Sequence, residues 1–252
     1  MIYFASDIHL GAGTAEEAKR TERAFCRWLD MVSKDATEIY LLGDIFDFWF
    51  EHRRVAPKGF VRVLGRLAEL TDRGVRVVFF AGNHDMWCRD YFEKECGVVL
   101  HRQACSVELH GKEFFLAHGD EFSKEGSFKV LRAIFHSRFL QRCFSAVHPR
   151  WALWMGHAWA RHSMIKHKVE GDTPFLGVDN EFCVQFAKEY LVKHPQVDCF
   201  IFGHRHIDED FPLGDSSRCI FLGDWISTFA YVVFDGKEIQ RKYYVEGESK
   251  DL

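Results

Sequence analysis

Three short apolar runs alternate with two segments of helical periodicity in the first third of the sequence. The runs, at residues 2–6, 38–42 and 75–80, are rich in β-branched and aromatic residues, a composition typical of buried strands. Thr14 followed by Glu17 is a capping-box signature, which predicts that a helix begins between the first two runs. The order β-α-β-α-β restricts this part of the chain to architectures in which helices flank a sheet.

The rest of the sequence adds strands that are more closely spaced. Strand-like runs crowd residues 98–117 and 219–245, and Asp235-Gly236 is the strongest hairpin signal in the chain. A helix that begins at Asp179 is predicted before the strand-like run 197–202. We therefore expect an α/β (α+β) fold with two packed mixed β-sheets flanked by helices. A length of 252 residues suits one core, so the chain is expected to form a single domain.

Residues 121–175 show neither the alternation of strands and helices nor the closely spaced strand-like runs of the other segments. They are predicted to form an inserted helical cap. From Gly126 to Val169 there is no Asp or Glu, and aromatic residues recur at helical spacing. The segment therefore predicts basic amphipathic helices between core strands. The Lys and Arg residues from Gly126 to Val169 are Lys129, Arg132, Arg138, Arg142, Arg150, Arg161, Lys166 and Lys168.

Composition and charge exclude several classes of protein. The formal charge of -4 and the pI near 6.4 give no global basic field, so we do not expect nucleic acid as a partner. The eight cysteines show no Cys-x-x-Cys pairing and are expected to be reduced core residues. The N-terminus lacks the pattern of a signal peptide, and no run approaches the roughly 18 apolar residues of a membrane span. We expect a cytoplasmic protein.

Each predicted strand of the core ends in a polar loop that contains residue types suited to metals. Ligands that follow the carboxyl ends of strands converge at one edge of an open sheet. Singly, each loop has a simpler explanation: Asp7 and Asp44 as turn formers, or His118 as a buried core residue. Five such loops in order favour a metal site. They are Ser6-Asp7-Ile8-His9, Gly43-Asp44-Ile45-Phe46-Asp47, Gly82-Asn83-His84-Asp85, His118-Gly119-Asp120 and Gly203-His204-Arg205-His206.

Taken together, the five loops resemble the motif set of the calcineurin-like metallophosphoesterases. The set runs as Asp-x-His, Gly-Asp-x-x-Asp, Gly-Asn-His-Asp, a later His and Gly-His-x-His, and it spans residues 7–206. The resemblance implies an αββα sandwich with two divalent metal ions and Asp44 as the bridging ligand. It implies that one ion is held by Asp7, His9, Asp44 and His206. It implies that the other is held by Asp44, Asn83, His118 and His204.

Two divalent ions about 3.5 to 4 Å apart lower the pKa of a shared water and neutralise charge on phosphoryl oxygens, which is the chemistry of phosphoester hydrolysis. Mixed oxygen and nitrogen ligands suit Mn, Fe or Zn, and we expect Mn. His84 lies outside the implied ligand set, so we assign it to protonation of the leaving group or stabilisation of the phosphoryl group. Asp47 or Asp85 is expected to orient the ligands. We expect Asn83, His84 and His204 to contact the substrate.

Finer features resemble one branch of this family, the UDP-2,3-diacylglucosamine hydrolases of bacterial lipid A synthesis. Enzymes of that branch cut the pyrophosphate of a lipid-bearing UDP-sugar and release UMP and the lipid sugar phosphate. Some members carry Arg where this chain has His84, so this loop is closer to the general phosphodiesterase pattern. The matching stretches are Ser-Asp-Ile-His-Leu at 6–10, Gly-Asp-Ile-Phe-Asp-Phe-Trp at 43–49, His-Gly-Asp at 118–120 and Leu-Gly-Asp-Trp at 222–225.

The resemblance gives the cap a role in binding the substrate. Its basic side chains would meet the pyrophosphate, while its Trp and Phe residues would bury an acyl chain or the membrane interface. Arg161, Lys166 and Lys168 are the expected phosphate contacts, and a solvated helix face is the alternative for them. The expected partners are therefore a lipid-linked UDP-sugar and, peripherally, the cytoplasmic face of the inner membrane.

Two alternatives remain open at this point. A phosphodiesterase or phosphatase for another nucleotide or phospholipid would use the same metal motifs. A non-catalytic adaptor on this fold would use the cap to bind a membrane or a protein. Such a scaffold could lose His84 or a metal ligand without penalty, whereas the inferred set in this chain is complete.

Overall fold

The computed structural model describes residues 1–52, 54–124, 126–156, 158–159 and 174–245. The strands are β1 (Ile2–Ala5), β2 (Glu38–Leu42), β3 (Arg76–Phe80), β4 (Val99–His101), β5 (Cys105–Leu109), β6 (Lys112–Ala117), β7 (Val197–Phe202), β8 (Asp210–Leu213), β9 (Ser217–Phe221), β10 (Ala230–Phe234) and β11 (Ile239–Tyr243). The helices are α1 (Ala15–Val32), α2 (Val61–Asp72), α3 (Tyr91–Cys96), α4 (Gly126–His136), α5 (Arg138–Ala146), α6 (149–156) and α7 (Phe182–Lys193).

Six strands form the first sheet, in the order β11-β10-β1-β2-β3-β4. Strands β1 to β4 run parallel, and β10 is antiparallel to β1. Side chains alternate along β1, so Phe4 faces the second sheet while Tyr3 and Ala5 pack toward α1, α2 and α3. Helix α1 begins with the predicted capping box, in which Glu17 N donates to Thr14 Oγ1 at 3.2 Å and Thr14 N donates to Glu17 Oε2 at 2.7 Å.

Five strands form the second sheet, in the order β5-β6-β7-β9-β8. Strands β6, β7 and β9 run parallel, and antiparallel strands close both edges. The sequence did not predict β8, because Pro212 interrupts a run of only four residues. Proline is tolerated there since β8 is an edge strand, where one side of the backbone needs no partner.

Helix α7 covers the outer face of the second sheet. It begins at Phe182 and not at the predicted Asp179. Asn180 N and Glu181 N both donate to Gly177 O, at 3.0 and 3.1 Å, so the residues before the helix form a turn that includes Asp179. Buried side chains of α7 share a core cluster with β6, β7 and β9.

The two sheets pack face to face over an aromatic core. The Phe4 ring stacks on Tyr40 at 5.2 Å between centroids and on Phe114 of the other sheet at 5.8 Å. Helices α1, α2 and α3 lie on one outer face and α7 on the other. The expected arrangement of two mixed sheets flanked by helices is confirmed.

Helices α4, α5 and α6 lie in the chain between β6 and α7, where the cap was expected. An ion pair of 2.8 Å joins Arg132 of α4 to the buried carboxylate of Asp120, directly after β6. The single-domain assignment and the cap bounds 121–175 stay predictions, because 157 and 160–173 lie outside the described residues. Within the described part of the chain, no helix combines the length and apolar character needed to cross a membrane.

Candidate metal centre

The five polar loops meet because both sheets present the carboxyl ends of their parallel strands at one edge. Loops after β1, β2 and β3 come from the first sheet, and loops after β6 and β7 come from the second. Backbone hydrogen bonds join neighbouring loops: Asp7 N donates to Gly43 O at 3.1 Å, and Gly203 N donates to His118 O at 2.9 Å. Trp225 N donates to Asp7 O at 3.0 Å, which ties the Leu-Gly-Asp-Trp loop to the same edge.

The backbone is strained at the candidate ligands. Five of them have φ between 49° and 64°, in the left-handed region that residues other than glycine rarely adopt. Each such residue costs on the order of 1 to 3 kcal/mol and persists only where the surrounding structure holds it. The strain therefore marks this edge as a functional site. The five residues are Asp7, His9, Asp44, His204 and His206.

Two glycines allow the loops to approach each other closely. A Cβ on Gly43 would lie 2.6 Å from His118 Nδ1, and a Cβ on Gly82 would collide with Asp44 Oδ1 and Asp44 N. Gly43 also has φ +86°, which a side chain would strain further. The loops that carry Asp44, Asn83 and His118 can therefore approach this closely only with glycine at both positions.

The first cluster contains Asp7, His9 and His206. His206 Nε2 lies 3.3 Å from Asp7 Oδ1 and 3.1 Å from His9 Nε2. Burial lowers the pKa of His9 to about 3, so its imidazole stays neutral and keeps a lone pair near pH 7. A carboxylate and two imidazoles directed at one point are a donor set that fits a divalent transition metal.

The second cluster contains Asp44, His118 and His204. His118 Nε2 lies 3.3 Å from Asp44 Oδ2 and 3.1 Å from Asn83 Oδ1. The Leu42 carbonyl can only accept a hydrogen bond, so His118 Nδ1 carries the ring proton and donates to Leu42 O at 2.8 Å. This hydrogen bond directs His118 Nε2 toward the cluster. Burial lowers the pKa of His204 to about 4, which keeps this imidazole neutral as well.

Electrostatics also favour cations at the second cluster. Burial alone would lower the pKa of His118, but the Asp44 carboxylate reverses this and raises that pKa well above its usual value. A site that holds a proton so strongly has a negative potential, which suits a divalent cation. Burial raises the pKa of Asp44, yet His118 and His84 outweigh it and hold that pKa well below its usual range.

Asp44 lies between the two clusters. Its Oδ2 is 4.0 Å from His9 Nε2 and 3.3 Å from His118 Nε2, so one oxygen faces both groups of donors. Its Oδ1 accepts from His84 N at 2.8 Å, which fixes the rotation of the carboxylate. This position suits the bridging role that the sequence resemblance implies.

His84 is buried beside the clusters. Its Nδ1 donates to Asp47 O at 2.7 Å, and its ring lies 4.9 Å from the His9 ring and 5.4 Å from the Trp159 ring. One ring nitrogen also falls within a third group of potential ligand atoms, with His9 and Asp44. The exclusion of His84 from the ligand set therefore stays a prediction.

Asp85 fastens two of the ligand loops together. Its Oδ1 accepts from Gly82 N at 2.7 Å, and its Oδ2 accepts from Ile45 N at 2.8 Å and Phe46 N at 3.2 Å. Burial and the nearby Asp44 raise its pKa to about 7. We therefore favour Asp85 for the expected role of orienting the ligands. The other candidate, Asp47, has its carboxylate oxygen Oδ1 3.8 Å from His9 Nδ1.

One positioning pair has no signal in the sequence. Arg205, between the two histidines of the Gly-His-Arg-His loop, makes a bidentate ion pair with Glu181 at 2.9 and 3.0 Å. Glu181 is fully buried at the start of α7. The pair anchors the histidine turn to the helix, and only folding brings together two residues that are 24 positions apart.

An apolar cavity of about 460 Å³ opens onto the centre at Asn83 and His84. The cap helices form one wall, and Trp159, an expected acyl-chain contact, is part of the lining. Trp151 and Trp154 are exposed instead. The predicted phosphate contacts Arg161, Lys166 and Lys168 lie outside the described residues. Large apolar residues that line the cavity include Phe48, Trp87, Phe135, Leu140, Phe144 and Trp159.

Known proteins are similar in sequence to this one over most of the chain. Residues 1–208 match the family model described as Calcineurin-like phosphoesterase. A UDP-2,3-diacylglucosamine hydrolase from Porphyromonas gingivalis (strain ATCC BAA-308 / W83) is 43% identical over 93% of this chain and 94% of that protein. A protein of the same name from Vibrio parahaemolyticus is 28% identical over 95% of this chain and 97% of its own length.

The family match includes every candidate ligand, from Asp7 to His206. The two sheets, the helices that flank them and the clustered His and Asp side chains agree with the resemblance that the sequence motifs suggested, and that resemblance is confirmed. The chain belongs to the calcineurin-like phosphoesterase family, a family of metal-dependent hydrolases.

Proposed function

We propose that this protein hydrolyses the pyrophosphate bond of UDP-2,3-diacylglucosamine and releases UMP and 2,3-diacylglucosamine 1-phosphate, as a step of lipid A biosynthesis. The observation that carries the proposal is the apolar cavity that opens at Asn83 and His84, beside the candidate metal ligands. The names of curated relatives at 43% and 28% identity support the same substrate.

The apolar cavity suits an acyl chain of the substrate. Its volume of about 460 Å³ is within the usual range for small-molecule sites, and its lining is dominated by aromatic and aliphatic side chains. Each methylene group that leaves water contributes about 0.8 kcal/mol, so a long acyl chain has enough binding energy to select this cavity. Because the cavity opens at His84, an acyl chain inside it would place the attached sugar phosphate near the clusters.

The two clusters would hold two divalent cations. Asp7, His9 and His206 would bind one, Asn83, His118 and His204 the other, and Asp44 would contribute to both. Carboxylate, amide and imidazole ligands suit Mn, which we expect, with Fe or Zn as alternatives. When bound, such cations polarise phosphoryl oxygens and supply an activated water.

His84 would move the proton that the reaction needs. Because Asp47 O accepts from Nδ1, only Nε2 is directed away from the loop backbone. In the imidazolium form, Nε2–H would donate its proton to the leaving phosphate oxygen. Nδ1–H would keep its hydrogen bond to Asp47 O. Asn83 and His204 would orient the phosphoryl group, and Arg161, Lys166 and Lys168 of the cap would contact the phosphates.

The outer face of the cap supports peripheral attachment to the cytoplasmic face of the inner membrane. Phe139, Trp151 and Trp154 are 72%, 56% and 64% exposed, which is unusual for such large apolar side chains. Arg142 and Arg150 are exposed in the same helices and would meet anionic lipid headgroups. A cytoplasmic enzyme with a lipid substrate would gain access to it at this surface.

The test compares an acylated with a non-acylated substrate. The purified protein with Mn is assayed for UMP release from UDP-2,3-diacylglucosamine in detergent micelles and from UDP-N-acetylglucosamine. We expect kcat/KM to favour the diacylated substrate by at least about 10³, since many methylene groups contribute about 0.8 kcal/mol each. Phe144→Ala removes cavity lining and should reduce this preference, whereas Phe211→Ala, on the remote strand β8, should preserve it.

The outcomes separate the proposal from its alternatives. If the wild type hydrolyses a small artificial phosphodiester but ignores UDP-2,3-diacylglucosamine, a phosphodiesterase for another nucleotide or phospholipid replaces the proposal. If it hydrolyses neither ester with metal bound, the adaptor alternative replaces it.

A further inference from the structure

A second recess adjoins the candidate metal centre. It has a volume of about 660 Å³ and lies between the loop after β3, the segment after β4, the loop after β6 and the cap helices. It touches the centre at Gly82 and His118, whereas the apolar cavity touches it at Asn83 and His84. Met86, Trp87 and Gln141 line both recesses and so form the wall between them. We call this second recess the polar cleft.

The polar cleft differs from the apolar cavity in chemistry. Its lining contains three arginines and four carboxylates, so the positive and negative charges nearly cancel. The polar cleft is therefore not a site built for an additional anion. Such a lining suits a neutral group that carries both hydrogen-bond donors and acceptors. The charged lining residues are Arg89, Arg102, Arg132, Asp90, Glu93, Asp120 and Glu121.

Hydrogen bonds hold the walls of the polar cleft in place. Arg102 Nη2 donates to Arg89 O at 2.5 Å and is 3.4 Å from Cys88 O, which joins the segment after β4 to the loop after β3. The buried Glu51 carboxylate accepts from Asp90 N at 3.0 Å and Tyr91 N at 3.3 Å on the same loop. A recess with fixed walls loses little entropy when it binds a ligand.

We propose that the polar cleft binds the nucleoside half of the UDP-sugar, an inference that rests on the proposed function. The substrate has an apolar end, a central pyrophosphate and a polar nucleoside, and the protein has an apolar and a polar recess that share one wall and each adjoin the candidate metal ligands. Uracil offers one N–H donor and two carbonyl acceptors, and ribose offers two hydroxyls. Arg89 and Arg102 can donate to the carbonyls, and Glu93 can accept from hydroxyls or the imide.

The experiment measures the dissociation constants of UMP and inorganic phosphate by calorimetry, with Mn present. Arg102→Ala and Glu93→Gln should each weaken UMP binding by about tenfold, since hydrogen bonds to charged groups contribute enough for such a change. Binding of inorganic phosphate should stay as in the wild type, because phosphate has no nucleoside. Arg62→Ala, an exposed position of α2 outside the lining of the cleft, is the matched control and should bind UMP as the wild type does.

The results distinguish a failure of the nucleoside site from a failure of the proposed hydrolase function. If the wild type releases UMP from UDP-2,3-diacylglucosamine but both cleft variants bind UMP normally, the nucleoside site is wrong and the proposed function stands. If UMP and phosphate weaken together, the arginine acts on the phosphates and the nucleoside site is again wrong. If the wild type binds no UMP and releases none, the proposed function fails as well. If Arg102→Ala unfolds the loop after β3, which Arg102 supports, Glu93→Gln still tests the nucleoside site.

Discussion

Asp44 lies beside both clusters, because its Oδ2 is 4.0 Å from His9 Nε2 and 3.3 Å from His118 Nε2. Among the described residues, Asp44 is the carboxylate that belongs to two of the three groups of potential ligands. Asp44 has a left-handed backbone conformation, with φ 51°, and its side chain reaches His118, which follows a strand of the second sheet. Changes at this residue should therefore affect binding at both clusters together.

We expect Asp44→Ala to lower the content of bound Mn and to abolish hydrolysis of bis(p-nitrophenyl) phosphate, since the bridging oxygen is lost. Mass spectrometry of the metal content and the rate assay measure both effects, with circular dichroism as the control for folding. Asp72→Ala, an exposed position at the end of α2, should change neither quantity. Full activity with unchanged metal in Asp44→Ala would overturn the assignment.

His84→Ala should lower activity without lowering the metal content. If His84 transfers a proton and binds no metal, the variant keeps its metal while turnover falls by roughly 10² to 10⁴, the usual effect of losing an acid-base group. The same two measurements apply. Metal loss in parallel with activity would mean that the third group of potential ligands, His9, Asp44 and His84, is a real metal site.

At the scale of elements, the Gly-His-Arg-His turn depends on helix α7 through the buried Glu181–Arg205 pair. We expect Glu181→Ala to lower the free energy of unfolding by about 3 to 5 kcal/mol, because it leaves a charged guanidinium in a buried site without its carboxylate. Urea denaturation measures this change. Asp179→Ala breaks the exposed pair with Lys188 near the same helix and should stay close to wild type. Equal stability of both variants would show that the pair does not anchor the turn.

Elements with a strong local pattern could be predicted from the sequence. β1, β2 and β3 are apolar runs that end in Asp7, Asp44 and Asn83 loops, and the capping box of α1 needs only neighbouring residues. β8 has four residues and a proline, so no periodic pattern reveals it.

Contacts through space were harder to predict than elements. The Glu181–Arg205 pair, the Asp85 hydrogen bonds to the loop after β2 and the wall of Trp87 between two recesses arise from packing between distant segments. The ligand types could be predicted because each follows a strand end. The residues that orient them could not, apart from Asp85, which is adjacent to His84.

At the scale of the whole molecule, the candidate metal centre joins the two sheets. Asp7, His9, Asp44 and Asn83 follow strands of the first sheet, whereas His118, His204 and His206 follow strands of the second. A cation bound by both groups would link the halves of the sandwich only in the native state. Binding to the native state alone stabilises by about 2.7 kcal/mol per site at a free concentration of 100 Kd.

Removal of metal should therefore lower the melting temperature of the wild type. We expect EDTA to lower Tm by several degrees and added Mn to restore it, as followed by circular dichroism. Asp44→Ala should show little response to either, because both clusters lose a ligand. A wild type whose Tm is the same with EDTA and with Mn would contradict a centre that spans both sheets.

The most direct test of the account is the metal-dependent release of UMP from UDP-2,3-diacylglucosamine. The wild type, stripped with EDTA and then supplied with Mn, is incubated with the lipid in micelles, and both products are quantified by mass spectrometry. The account predicts equal amounts of UMP and 2,3-diacylglucosamine 1-phosphate with Mn, and neither product with EDTA or in Asp44→Ala. Release that persists in EDTA or in Asp44→Ala, or no release by a fully metallated wild type, would contradict it.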